Sequence, residues 1–163
     1  MSDTLCEIEV LRESIAERLS GLADFNGIDV LTRKVGNLQN AIVTNLAQLK
    51  GVCVVVFIPS AIPKAYQTTR PFLDPVKVVV RTIEDTLFNK TGKSACLLAT
   101  RAQAALQLWK PPHSFCHQLV PDEGGMMELN LVGKIDEESA DKEGNYSGWD
   151  VHFTTKLAIQ PAQ

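Results

Sequence analysis

The sequence has no long hydrophobic run. The longest, Val52 to Ile58, is closed by Pro59 and falls far short of the ~20 residues that cross a bilayer as a helix, so no membrane span is expected. Cysteine is scarce. Cys6, Cys53, Cys96 and Cys116 show neither CxxC spacing nor the density of a stapled scaffold, and are expected as reduced, buried thiols of a cytoplasmic protein. With 10 Gly and 8 Pro in 163 residues, the chain is not a low-complexity polymer. There is no basic excess either: 16 Lys plus Arg stand against 19 Asp plus Glu, which argues against a dedicated duplex-DNA or RNA reader. Asp3, Glu7, Glu9, Arg12 and Glu13 occupy the place where an export signal needs a basic start and an apolar stretch, so export by that route is not expected.

What is present is a foldable chain, 45% hydrophobic and 21% charged. At this length a single domain buries roughly 70% of the surface its unfolded chain exposes, and one domain over residues 1–163 is the expectation.

Ile8, Leu11, Ile15, Leu19 and Leu22 recur at helical spacing, with Ser2, Asp3 or Thr4 as candidate caps. A short strand is expected at Ile28–Thr32. A second helix follows Asn37, with Leu38, Ile42, Leu46 and Leu49 on one stripe and Lys50-Gly51 as its stop. The β-branched run Val52–Ile58 predicts a central strand covered on both faces. From Ser60 to Leu73, a segment with Pro63, Pro71, Lys64 and Arg70, an irregular loop is expected; its length points to contacts outside the domain, with another copy of the chain among the candidates.

Val76–Thr86 alternates as a strand, and Ser94–Trp109 forms a third helix with Leu98, Ala102, Ala105 and Trp109 on one stripe, stopped by Lys110-Pro111-Pro112. Strands are then expected at Phe115–Val120, Met127–Ile135 and Trp149–Ile159, the last two joined by a solvated loop, Asp136–Gly148. The order α, β, α, β, β, α, β, β, β predicts an α+β fold: a mainly antiparallel sheet with about three helices packed on one face.

Three groups of residues invite chemistry. Thr91-Gly92-Lys93-Ser94 opens a helix after a strand, as a phosphate loop does, but the glycine required five positions earlier is Leu87. The preferred reading is a tight turn, with Gly92 at positive φ and Thr91 or Ser94 capping the helix. His113, Cys116 and His117 carry metal-ligand chemistry, yet the further ligands, Cys96 or His152, must come from other elements, so a core thiol beside a surface histidine is preferred. The acids Asp136, Glu137, Glu138, Asp141 and Glu143 lack the spacing of a calcium loop. No nucleophile elbow, zinc-protease helix or cysteine-protease signature is present, so neither catalysis nor a cofactor is expected.

The stretch Phe88-Asn89-Lys90-Thr91-Gly92-Lys93-Ser94-Ala95, followed by a Leu/Ala-rich helix closing at Leu106-Gln107-Leu108-Trp109-Lys110-Pro111, and later the aromatic-bearing final strand Trp149–Ile159, resembles the tail terminator and tail-completion proteins of tailed bacteriophages and their prophage relatives. There a similar Thr-Gly-Lys turn leads into a helix ending near Trp-x-Pro; where members often carry one more glycine, this chain has Thr91. The resemblance implies a structural virion protein without catalysis. It would form a ring, usually of six subunits, on the head-proximal end of the tail tube, stop tube polymerisation and join tail to neck or connector. Its partners would be itself, the tube protein, and sheath and neck proteins.

On this view Lys64, Tyr66, Arg70 and Phe72 are candidate interface residues. The acidic group Asp136, Glu137, Glu138, Asp141 and Glu143 would face a channel through which DNA slides without binding, and Thr91, Gly92 and Ser94 are structural. The virion tail, assembled in the host cytoplasm, would be its location. The alternative class is a small cytoplasmic α+β enzyme or ligand-binding domain with an anion site at the Thr91–Ser94 turn.

Overall fold

A computed structural model describes residues 4–64, 71–129 and 146–160. Along the chain come α1 (Glu7–Ser20), β1 (Asp29–Leu31), α2 (Leu38–Thr44) continued by a π-helical turn at Asn45–Leu49, β2 (Val52–Lys64), β3 (Phe72–Asp85), α3 (Ala95–Leu106), β4 (Val120–Leu129) and β5 (Tyr146–Ala158). The strands form one sheet in the order β1-β2-β3-β5-β4, parallel only between β1 and β2. The architecture is α+β, with a mostly antiparallel sheet. No helix among the described residues is long and apolar enough to cross a membrane.

Strand alternation decides which side chains meet. Val52, Val54 and Val56 of β2, Val76, Val78 and Val80 of β3, and Val151, Phe153 and Leu157 of β5 point to one face. There they pack against Leu11, Ile15 and Leu19 of α1 and Leu98, Ala99, Ala102 and Leu106 of α3. The small alanines of α3 let it lie close on the sheet. The expected one-sided helix layer holds for α1 and α3, whereas α2 and its π turn go to the opposite face, where Leu46 buries against Cys53 and Ile83. Leu49, expected on the buried stripe, is exposed, because the π turn changes the residue period of the helix.

Several boundaries differ from the sequence-based expectation for physical reasons. The segment 60–73 is not irregular where it is described: β2 runs on through Pro59 and Pro63 to Lys64, and β3 starts at Phe72. Proline removes a backbone donor, so it fits a strand only at an edge or a bulge. Both conditions hold here, since β1 accompanies β2 only at Cys53–Val55 and the β2–β3 register shifts between Phe57 and Ser60 and between Ala61 and Pro63.

Phe115–Val120 is not a strand; it makes a single bridge, Cys116 to Leu157, and β4 begins at Val120 instead. Pro121 and Gly124-Gly125, which look like breaks, fall in a register shift between Pro121 and Met126. Tyr146, Ser147 and Gly148, expected in a loop, belong to β5. At the start of α1 the cap is Cys6 rather than Ser2, Asp3 or Thr4: its N–H donates to the Glu9 carboxylate at 2.8 Å, which holds that carboxyl below its usual range.

Candidate functional site

The turn before α3 is built around a carboxylate. Glu84, at the end of β3, accepts the Ala95 N–H at 2.9 Å on one oxygen and the Asn89 side-chain amide at 2.7 Å on the other. Asn89 also donates to the Lys93 carbonyl at 2.9 Å, and its own amide oxygen accepts from the Thr91 N–H at 3.0 Å and the Thr91 hydroxyl at 2.6 Å. Ser94 caps α3 by accepting the Leu97 N–H at 3.1 Å, and Gly92 takes the expected positive φ of 75°. The Lys93 ammonium donates to the carbonyls of Asn26, at 3.2 Å, and Ala23, at 3.4 Å.

A helix start attracts negative charge through its unpaired N–H groups and dipole. Here that position is held by the chain's own Glu84, and the Lys93 ammonium is spent on tethering the loop after α1. An incoming phosphate would have to displace a buried carboxylate from the Ala95 N–H and lie beside its charge. Nothing in the motif itself announced Glu84, which lies 11 residues from the N–H it satisfies.

The histidine and cysteine group does not converge. His113 bonds the Ser14 hydroxyl through Nε2 at 3.1 Å and stacks on Phe115, Cys116 is buried in the main core, and His117 is exposed. Among the described residues no three His, Cys, Asp or Glu side chains gather as a metal site. The thiols split into two pairs: Cys53 and Cys116 are buried, while Cys6 and Cys96, expected inside, are exposed, and all four are free. Burial pushes the Cys53 thiol up to about 12, with the Asp29 charge adding to the effect, and the Cys116 thiol up to about 11. Neither is poised as a nucleophile.

The sheet surface is more informative. On the face opposite α1 and α3, Arg81 of β3 grips Asp150 of β5 through two bonds of 2.8 and 2.9 Å and stacks over Phe57 at 5.1 Å. Hydrogen bonding to the carboxylate raises the Arg81 pKa further above its already high value, so the guanidinium stays charged at any ordinary pH. Between this pair and α2 lies a groove of about 690 Å³, floored by Val55, Phe57 and Ile83 and walled by Leu38, Ile42 and Arg33.

Of the candidate interface residues, Lys64 ends β2 and is exposed, paired in register with Phe72 at the start of β3. Phe72 is half-buried, with the Lys156 ammonium 4.3 Å above its ring. Tyr66 and Arg70 lie outside the described residues, as do the five acids Asp136, Glu137, Glu138, Asp141 and Glu143.

Two sheet edges are left open among the described residues: β2 beyond Val55, where β1 ends, and β4, which pairs only with β5. No protein-family model matches this chain, and no curated protein matches it either.

Proposed function

We propose that the protein is a virion assembly subunit of the tail-terminator kind, which closes into a ring on the end of a phage tail tube, stops its polymerisation and presents a surface to the neck or connector. The observation that carries this reading is the pair of dissimilar open edges, β2 from Val56 onward and β4, on opposite sides of one sheet. A contact that joins one edge of a subunit to the other edge of the next repeats head to tail, and such heterologous contacts close into rings when the rotation permits. The resemblance carried by Phe88–Ala95 and Trp109-Lys110-Pro111 points the same way, and the turn chemistry that would serve a ligand-binding domain is already occupied by Glu84, Asn89 and Lys93.

In this role the subunit works by shape and charge, without a cofactor. DNA passes through the ring, and the five acids between positions 136 and 143 repel its phosphates if they line the channel. Native mass spectrometry of the purified protein, and negative-stain imaging after addition of tail tube protein, test the proposal. Closed rings seated on tube ends and a finite tube length are expected. A chain that stays strictly monomeric and never caps a tube overturns it.

A further inference from the structure

Charge is segregated between the two open edges. Residues 51–73, which include the whole of β2 and the start of β3, contain no Asp or Glu; their only charges are Lys64 and Arg70. Residues 111–133, which include the whole of β4, contain no Lys or Arg and carry Asp122, Glu123 and Glu128. Lys64, Glu123 and Glu128 are exposed, and none of them makes an ion pair among the described residues. Each edge also exposes apolar side chains beside its charges: Ile62 is 50% exposed on β2, and Val120 and Met127 are 47% and 51% exposed on β4.

From this complementarity we infer that the β2 edge of one copy, Ile58 to Lys64, docks on the β4 edge of a second copy, with Lys64 against Glu123 and Glu128 and Ile62 against Val120 and Met127. The alternatives that pair like with like are disfavoured by charge. Two β2 edges would put positive charge on both sides of the contact, and two β4 edges would put carboxylates on both sides, which weakens either pairing against the mixed one. The one pairing that joins opposite signs is heterologous, so it builds a ring or a filament and not a two-fold dimer.

Pro59 and Pro63 on one edge, and the irregular register around Gly124-Gly125 on the other, interrupt any continuous backbone ladder. Recognition therefore rests on side chains, and it weakens with salt. The inference rests on the ring reading only in needing self-association, and it names the surfaces that reading leaves open.

Charge reversal with rescue tests it, using sedimentation velocity and native mass spectrometry of the full chain over a salt series. Lys64→Glu, and separately Glu123→Lys with Glu128→Lys, are each expected to raise the dissociation constant about tenfold or more. The triple variant, or an equimolar mixture of the two reversed proteins, is expected to assemble again, since each then offers an acidic edge to a basic one. Far-ultraviolet circular dichroism of each variant confirms that the fold persists, and the salt dependence of the unaltered protein supplies a measurement that needs no variant.

An assembly indifferent to both reversals and to salt, or a loss that neither the triple variant nor the mixture restores, overturns this interface while leaving the ring reading standing. A chain that never self-associates overturns the interface; the ring reading falls with it only if tube ends also stay uncapped.

Discussion

Strand β3 joins two regions that differ in how completely their polar groups are used. At its C-terminal end, Glu84, Asn89, Thr91, Lys93 and Ser94 satisfy one another and the start of α3. The backbone there locks further onto the residue before β2, where the Asp85 N–H donates to the Gly51 carbonyl at 2.8 Å. At its N-terminal end the hairpin with β2 leaves Lys64 in solvent and half of Ile62 uncovered. The end that looks like a binding motif is thus a structural lock, and the end without a motif holds the free surface. Saturated polar groups rigidify, because each bond broken leaves a buried partner unpaired; unpaired exposed groups are available to a partner at little desolvation cost.

The sharpest way to break the locked end is through Gly51. It sits at a φ of 76°, and a Cβ there would come within 2.8 Å of the Asn89 backbone nitrogen. Gly51→Ala must therefore strain its own backbone and push the turn away from β2. An effect of about 3 kcal/mol is expected, read as a lower midpoint of denaturant unfolding with an unchanged slope. A loss below about 0.5 kcal/mol would show that the turn is not locked.

Glu84→Gln breaks the same end more gently. The amide keeps one acceptor, but its NH2 must face either the Ala95 N–H or the Asn89 amide donor, so about 1–2 kcal/mol is expected. Glu128→Gln, on the exposed β4 edge, is the matched control and should stay within about 0.5 kcal/mol. Equal losses from the two substitutions would erase the distinction between lock and surface.

How far each region was legible follows from the range of the interactions that build it. Ser94 as cap and Gly92 at positive φ are local devices, fixed by neighbours within three residues, and they stand out in the sequence. Leu98 and Ala102 on the α3 stripe and the Val76–Val78–Val80 face of β3 are equally plain, because burial imposes their period; Ala105 and Trp109, expected on the same stripe, are only partly buried, and Leu106 takes the fully buried place. Glu84 was invisible because its partners come from a different element, and a lone glutamate at the end of a strand carries no pattern.

From sequence the end of β2 reads as an irregular loop because Pro59 and Pro63 are strong strand breakers in isolation; an edge and two register shifts make them tolerable, and neither condition is written locally. β4 was displaced for the same reason, by Pro121 and the Gly124-Gly125 pair. Of the proposed contact, Lys64 stands among the candidates that the sequence offers. The acids Glu123 and Glu128 do not, since their place on an open edge depends on where β4 falls in the sheet.

The smallest effect on stability is expected at the free end, and it is there that function should respond most. Ile62→Ser removes an apolar side chain that is already half in water, so little burial is lost on folding and the unfolding free energy should move by no more than about 0.5 kcal/mol. If Ile62 packs on a second copy, the same change removes contact area from the assembly and its dissociation constant rises, while the monomer is as stable as before. Measuring both quantities on one variant separates the two possibilities. A clear drop in stability with no change in association would mean that the exposed end of the hairpin serves the fold after all, and that the division along β3 is drawn in the wrong place.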